Sequence, residues 1–361
     1  MKRIALILLA GAAGLLSCGE ASKPAATAYE PPCTGNLVDR TSDVLRIHDP
    51  AIAKQDDTYY IYSSSALASF YTSPDMKTWT ESGRIFEELP QWVRDELPNP
   101  DHIGAPDIAW YDGKWVLYYQ SHIGGTCNAG IGVATNATLN PDDPEYEWID
   151  HGLILRSTPL FENLDIICGV DETWYNAIDP HLFIDVDGKP WLVFGSTLGG
   201  LFLVDIDPKT FRPTTHPSEF KVLAARDLLI ADPIIEGPYI IHRDGWYYLF
   251  LSHNRCCQGA DTKYKILVGR SRTLAGPYFD RDGVALLEGG GTVLIEREGS
   301  LIGTGHADVY SENGYDYLVH HAYDASLNYQ SMLNIRRLVW DEDQWPRACQ
   351  APDQALSPAG S

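Results

Sequence analysis

The chain predicts an all-β fold, a five-bladed β-propeller, because five short aromatic runs each follow a turn, a strand opening on a polar residue precedes each turn, and those polar residues recur at broadly regular steps. The first run is Tyr59-Tyr60-Ile61-Tyr62-Ser63-Ser64 after Asp57-Thr58, and the second is Trp115-Val116-Leu117-Tyr118-Tyr119 after Asp112-Gly113. The third is Trp191-Leu192-Val193-Phe194-Gly195-Ser196 after Asp187-Gly188, and the fourth is Trp246-Tyr247-Tyr248-Leu249-Phe250-Leu251-Ser252 after Asp244-Gly245. Tyr315-Asp316-Tyr317-Leu318-Val319 after Asn313-Gly314 completes the set. Asp-Gly and Asn-Gly supply the positive φ angles of tight hairpins, and aromatic and β-branched residues suit pleated strands. The preceding strands open on Asp49, Asp107, Asp179, Glu236 and His306, and the spacing leaves room for four strands per unit. Equivalent positions on innermost strands converge on a propeller's axis, so these five side chains are expected to meet.

The flanks are of a different kind. Lys2 and Arg3 precede an apolar run ending in Leu15-Leu16-Ser17-Cys18, which reads as a lipoprotein export signal over 1–17 with Cys18 as the acylated residue. Residues 18–32 are rich in Ala, Ser, Thr, Lys and Pro and read as a tether, leaving 33–361 as one globular domain. The expectation is an exported bacterial lipoprotein whose contact with the membrane is through the anchor alone. A net charge of −22 repels nucleic acid at long range and suits a neutral ligand. With no coiled-coil pattern, a monomer is expected. Six cysteines remain once Cys18 is assigned to lipid. Cys33 and Cys349 flank the domain and are expected to pair as the ring closes, whereas Cys256 and Cys257 either bond to each other or pair elsewhere, with Cys127 and Cys168 unassigned.

Eight residues separate Asp49 from Asp57, Asp179 from Asp187 and Glu236 from Asp244, which places the three carboxyl groups at matching positions of three blades. Such a trio is the equipment for acid and base cleavage of a glycosidic bond. One group protonates the leaving oxygen, another activates water, and the third raises the pKa of the acid by its charge. In an inverting enzyme acid and base stand roughly 6.5–9.5 Å apart. Asp107 reads either as support near this site or as an acceptor that joins two blades.

The motifs His48-Asp49-Pro50, Ala105-Pro106-Asp107-Ile108, Asn176-Ala177-Ile178-Asp179-Pro180, Gly195-Ser196, Glu236-Gly237-Pro238-Tyr239, Cys256-Cys257-Gln258-Gly259, Gly276-Pro277-Tyr278 and Gly303-Thr304-Gly305-His306 resemble glycoside hydrolase family 43, in its endo-arabinanase branch, along the whole domain. The resemblance implies inverting hydrolysis of internal α-1,5-L-arabinofuranosidic bonds of arabinan, with Asp49 as general base, Glu236 as general acid and Asp179 as the carboxylate that tunes the acid. It also implies sugar contacts from Asn176 and Ser196, and a part for His306 in holding a metal, usually calcium, among waters in the channel. Gly104 stands where many relatives have Trp, and the segment Gln120-Ser121-His122 lacks a Phe that they offer. An exo-acting arabinofuranosidase or β-xylosidase on the same scaffold is the alternative, and a non-catalytic glycan-binding propeller is a third reading.

Overall fold

A computed structural model describes residues 33–350 except 125, 127, 158–174, 198, 228 and 231, so the leader, Cys18, the tether, Cys127 and Cys168 lie outside the described residues. Five antiparallel sheets follow one another along the chain: four strands in each of the first four, from Ala51 to Arg84, Gly104 to Arg156, His181 to Ala224 and Ile235 to Ile295, and five in the last, from Arg297 to Ala348. These are blades I to V. A single six-residue α-helix, Gln91–Glu96, is present among the described residues.

Turn chemistry sets the hairpins. Asp112-Gly113, Asp244-Gly245 and Asn313-Gly314 form two-residue turns in which both residues have positive φ. Asp and Asn tolerate that conformation better than most side chains and Gly adopts it freely. The turn of blade I is Asp56-Asp57, one residue earlier than the motif suggested, and blade III uses the longer loop 185–189.

Five separate apolar clusters hold the ring together, and each lies between neighbouring blades. Tyr62 and Phe70 of blade I meet Leu117 and Tyr119 of blade II, for example, and Phe250 and Val268 of blade IV meet Leu318 and Leu338 of blade V. Each such side chain, fully buried, is worth about 1.5–3 kcal/mol. The final cluster packs blade V against blade I and includes Val38, Val44 and Ile47 of the entering chain. That segment also pairs with blade V through Leu37 N–H to Ile335 O and Leu333 N–H to Val44 O, at 2.8 and 3.0 Å. Cys33 bonds to Cys349, as expected of chain ends brought together by closure.

Candidate active site

The innermost strands meet in two polar levels, and their register corrects the equivalence expected from sequence. Seven residues separate Asp49, Ala105, Gly237 and His306 from the first residue of the next turn, and these four, with Asp179, all have φ between +38° and +57°. Asp107 therefore belongs to a different level from Asp49, and Glu236 precedes the matching position by one residue. A bulge between Glu236 and Tyr239 lets the Glu236 side chain face the axis nonetheless.

At the upper level the five backbone N–H groups are each received by a side chain of the preceding blade. His321 Nδ1 accepts from Asp49 at 3.1 Å, Ser64 Oγ from Ala105 at 2.8 Å, Gln120 Oε1 from Asp179, Asp179 Oδ2 from Gly237 at 2.8 Å and Ser252 Oγ from His306 at 2.8 Å. Left unpaired, each buried N–H would cost about 1–3 kcal/mol. The lower level latches blades through side chains two residues further on. Asp107 Oδ2 accepts from Leu182 N–H at 2.8 Å, and Asp308 Oδ2 accepts from Ile52 N–H at 2.7 Å. His181 joins Asp107 to the Ile240 carbonyl, so Asp107 is the acceptor between blades rather than part of the cavity above.

That cavity, about 230 Å³, is lined by His48, Asp49 and Ser64 of blade I, by His102, Gly104, Gln120 and His122 around blade II, and by Ile178, Asp179, Glu236, Cys256, Cys257, Tyr264 and His306. Four of the expected residues, Asp49, Asp179, Glu236 and His306, thus come together from blades I, III, IV and V. Asn176 and Ser196 are not among the described lining residues. Asn176 Oδ1 accepts from Ser157 Oγ at 3.2 Å. Ser196 lies at the position of the second strand that Gln120 and Ser252 occupy in their own blades, beside the start of the inner strand. Gly104 packs against Gln120 and His102, which a Cβ there would meet at 3.2 and 3.5 Å, and the rings of His102 and His122 stand edge to face nearby with centroids 4.8 Å apart.

Electrostatics separate the three carboxyl groups. Burial alone would raise Asp49, but His48, His306 and His321 surround it and hold it well below the usual carboxylate range. His48 Nδ1 lies 2.8 Å from Asp49 Oδ1, and although burial disfavours the imidazolium, the carboxylate beside it lifts His48 to about 10. Ser64 Oγ donates to Asp49 Oδ2 at 2.6 Å. Burial raises Glu236 to about 7, with Asp49 adding to the rise and the Tyr264 phenol opposing it. Asp179 is raised too, by burial and by Glu236 and Asp49, so the Asp179–Glu236 pair retains a proton near neutrality while Asp49 is ionised.

Sequence reasoning passed over His48, Ser64, Tyr264 and His321 as site residues. His48 sits inside a motif and Ser64 ends an aromatic run, both of which were visible signals. Tyr264 and His321 carry none. Tyr264 reaches the cavity because Gly305 has no side chain: a Cβ there would overlap its ring.

His306 is half-buried and its loss of hydration lowers its pKa, so it presents a neutral imidazole, with Nδ1 3.4 Å from Asp49 Oδ1. Calcium prefers six to eight oxygens. Neither group of three or more potential ligands among the described residues includes His306, so an ion there would take most of its shell from water.

The family model of the glycosyl hydrolases of family 43 matches residues 44–346. The extracellular exo-α-(1→5)-L-arabinofuranosidase of Cellvibrio japonicus is 37% identical over 309 residues, 83% of this chain and 86% of that protein. The extracellular endo-α-(1→5)-L-arabinanase 1 of Bacillus subtilis is 35% identical over 305 residues, with 83% of this chain and 87% of that protein covered. Among solved structures, the Cellvibrio cellulosa α-L-arabinanase complexed with arabinohexaose superposes with a TM-score of 0.77 at 36% identity, over 85% of this chain and 96% of that one.

Proposed function

The chain belongs to the glycosyl hydrolases of family 43, and from that membership and the geometry of its cavity we propose that it hydrolyses the α-1,5-linked backbone of arabinan with inversion, cutting inside the chain. The observation that carries the reading is the division of labour among three converging carboxyl groups: Asp49 ionised, and a Glu236–Asp179 pair that keeps a proton. Asp49 Oδ takes a proton from the water that attacks the anomeric carbon, and the glycosidic electron pair leaves with the oxygen that Glu236 protonates. His48 and Ser64 each donate to one oxygen of Asp49, which fixes the direction in which it can accept. Asp179 disfavours a second negative charge at Glu236 and so keeps the acid loaded.

Exo action is the second reading, favoured by the exo-acting Cellvibrio japonicus relative. The experiment is the product profile of the purified protein on linear debranched arabinan, with viscosity followed in parallel. Early oligosaccharides and a rapid viscosity fall support the endo reading, and one small product with slow viscosity loss supports the exo reading. The absence of any product from arabinan overturns both. Retention of the anomeric configuration, read by NMR, overturns the assignment of Asp49 as base.

Export belongs to the same reading, supported by the leader pattern and by relatives described as extracellular. The lipid anchor at Cys18, the 18–32 tether and the monomeric state are its finer parts, checked by lipid labelling of a Cys18→Ala variant and by light scattering. Calcium is another: His306 would hold the ion with one nitrogen, and the bound ion would supply positive charge near Asp49. Metal analysis of wild type against His306→Ala tests it.

A further inference from the structure

We propose that Cys256, Cys257 and His48 form a binding site for a thiophilic cation of the zinc and cadmium class, at the wall of the active-site cavity, and that its occupation inhibits the enzyme. Both thiols are free, and one ligand atom from each of the three residues lies within 4.8 Å of the other two. Cys257 Sγ is 3.8 Å from His48 Nε2. Tetrahedral zinc with bonds of about 2.3 Å to sulfur and 2.0–2.1 Å to nitrogen sets its ligands about 3.5–3.8 Å apart, so the set needs little movement to close on an ion. All three side chains line the cavity, and Cys257 is exposed, which gives the ion a way in.

His48 is already aimed. Its Nδ1 faces Asp49 Oδ1 at 2.8 Å and its ring stacks on His321 with centroids 3.8 Å apart, which leaves Nε2 directed toward the thiols. A carboxylate behind a ligating histidine is the usual outer support of zinc sites. Two sulfurs and a nitrogen select a soft or borderline cation over calcium or magnesium. Tyr323 Oη lies 2.7 Å from His48 Nε2 and 3.2 Å from Cys257 Sγ, so it bridges the place the cation would take. Binding would replace that bridge and release the thiol protons and the Nε2 proton to solvent, and the fourth position would open to the cavity for water. An ion and its water there occupy space the sugar needs and change the partner of Asp49.

The binding half needs no substrate, and only the inhibition rests on the hydrolase reading. The full chain, with its Cys33–Cys349 bond intact and oxygen excluded, is titrated with Cd²⁺ and followed by thiolate-to-cadmium absorption in the ultraviolet, for wild type, Cys256→Ser and Cys257→Ser. Wild type is expected to take up one more Cd²⁺ per chain than either variant. In the arabinan assay each variant, relative to its own metal-free rate, is expected to need at least tenfold more Cd²⁺ for half inhibition. Equal uptake by wild type and both variants overturns the site. Uptake lost in the variants with no effect of Cd²⁺ on the wild-type rate overturns the inhibition. If no form hydrolyses arabinan, the proposed function fails while the absorption titration still decides the site.

Discussion

Gly237 donates its backbone N–H to Asp179 Oδ2 at 2.8 Å, and at no other point of the upper ring is the acceptor one of the three carboxyl groups of the cavity. Serine, glutamine or histidine side chains receive the other four N–H groups. Asp179 is thus a latch between blades III and IV and, in the proposed mechanism, also the carboxylate that keeps Glu236 protonated. Asp179→Asn keeps an amide oxygen for the latch and removes the charge. The expected result is a melting temperature within a few degrees of wild type, with the alkaline limb of kcat moved to lower pH and kcat at neutral pH down about 10–100-fold.

In the wild type, a general acid must be protonated, so activity is expected to fall as pH rises through about 7, where Glu236 loses its proton. The base must be ionised, and because Asp49 is held below the usual range, the acid limb lies far below neutrality. A kcat/KM profile checks both signs. Glu236→Gln is expected to lower kcat on arabinan by about 10²–10⁴. On an aryl arabinofuranoside with a strongly acidic leaving group the same variant should lose far less, because that oxygen leaves without a proton.

Ser64 accepts the N–H of Ala105 and donates to Asp49 Oδ2, so one hydroxyl serves the seam between blades I and II and the proposed base together. Ser64→Ala is expected to cost about 1–3 kcal/mol in denaturant unfolding. It should also lower kcat more than it raises KM.

Gly305→Ala is expected to push Tyr264 out of its place beside Glu236, since the new methyl and the ring cannot share the space. Overpacking of this kind costs typically about 1–3 kcal/mol. The rate on arabinan should fall with it, and the Tyr264→Phe variant, which keeps the ring, should be much less affected in stability.

Reduction of Cys33–Cys349, which joins positions 316 apart in sequence, is expected to destabilise the ring by about 2–5 kcal/mol, read as a lower melting temperature with reductant. The backbone pairing of Leu37 with Ile335 and Val44 with Leu333 should keep the reduced protein folded at 25 °C.

Much of the architecture is legible along the chain because it is local: a turn such as Asn313-Gly314 and the alternating strands beside it are specified within a dozen residues, and five such units require a ring. The repeat also brought Asp49, Asp179 and Glu236 to one cavity, although counting to the turn misjudged the register. Asp56-Asp57 turns one residue early, the loop after Ile184 is longer, and Glu236 owes its direction to a bulge, none of which composition announces. Tertiary structure alone decided that His48 and His321 flank Asp49, that Gly305 admits Tyr264, and that Cys257 stands against His48 across 209 positions of sequence. The physical reason is that hydrogen-bonded turns and strands are short-range and encoded where they form. Side-chain convergence at the axis depends on ring closure by five interblade cores, and no single segment contains that information.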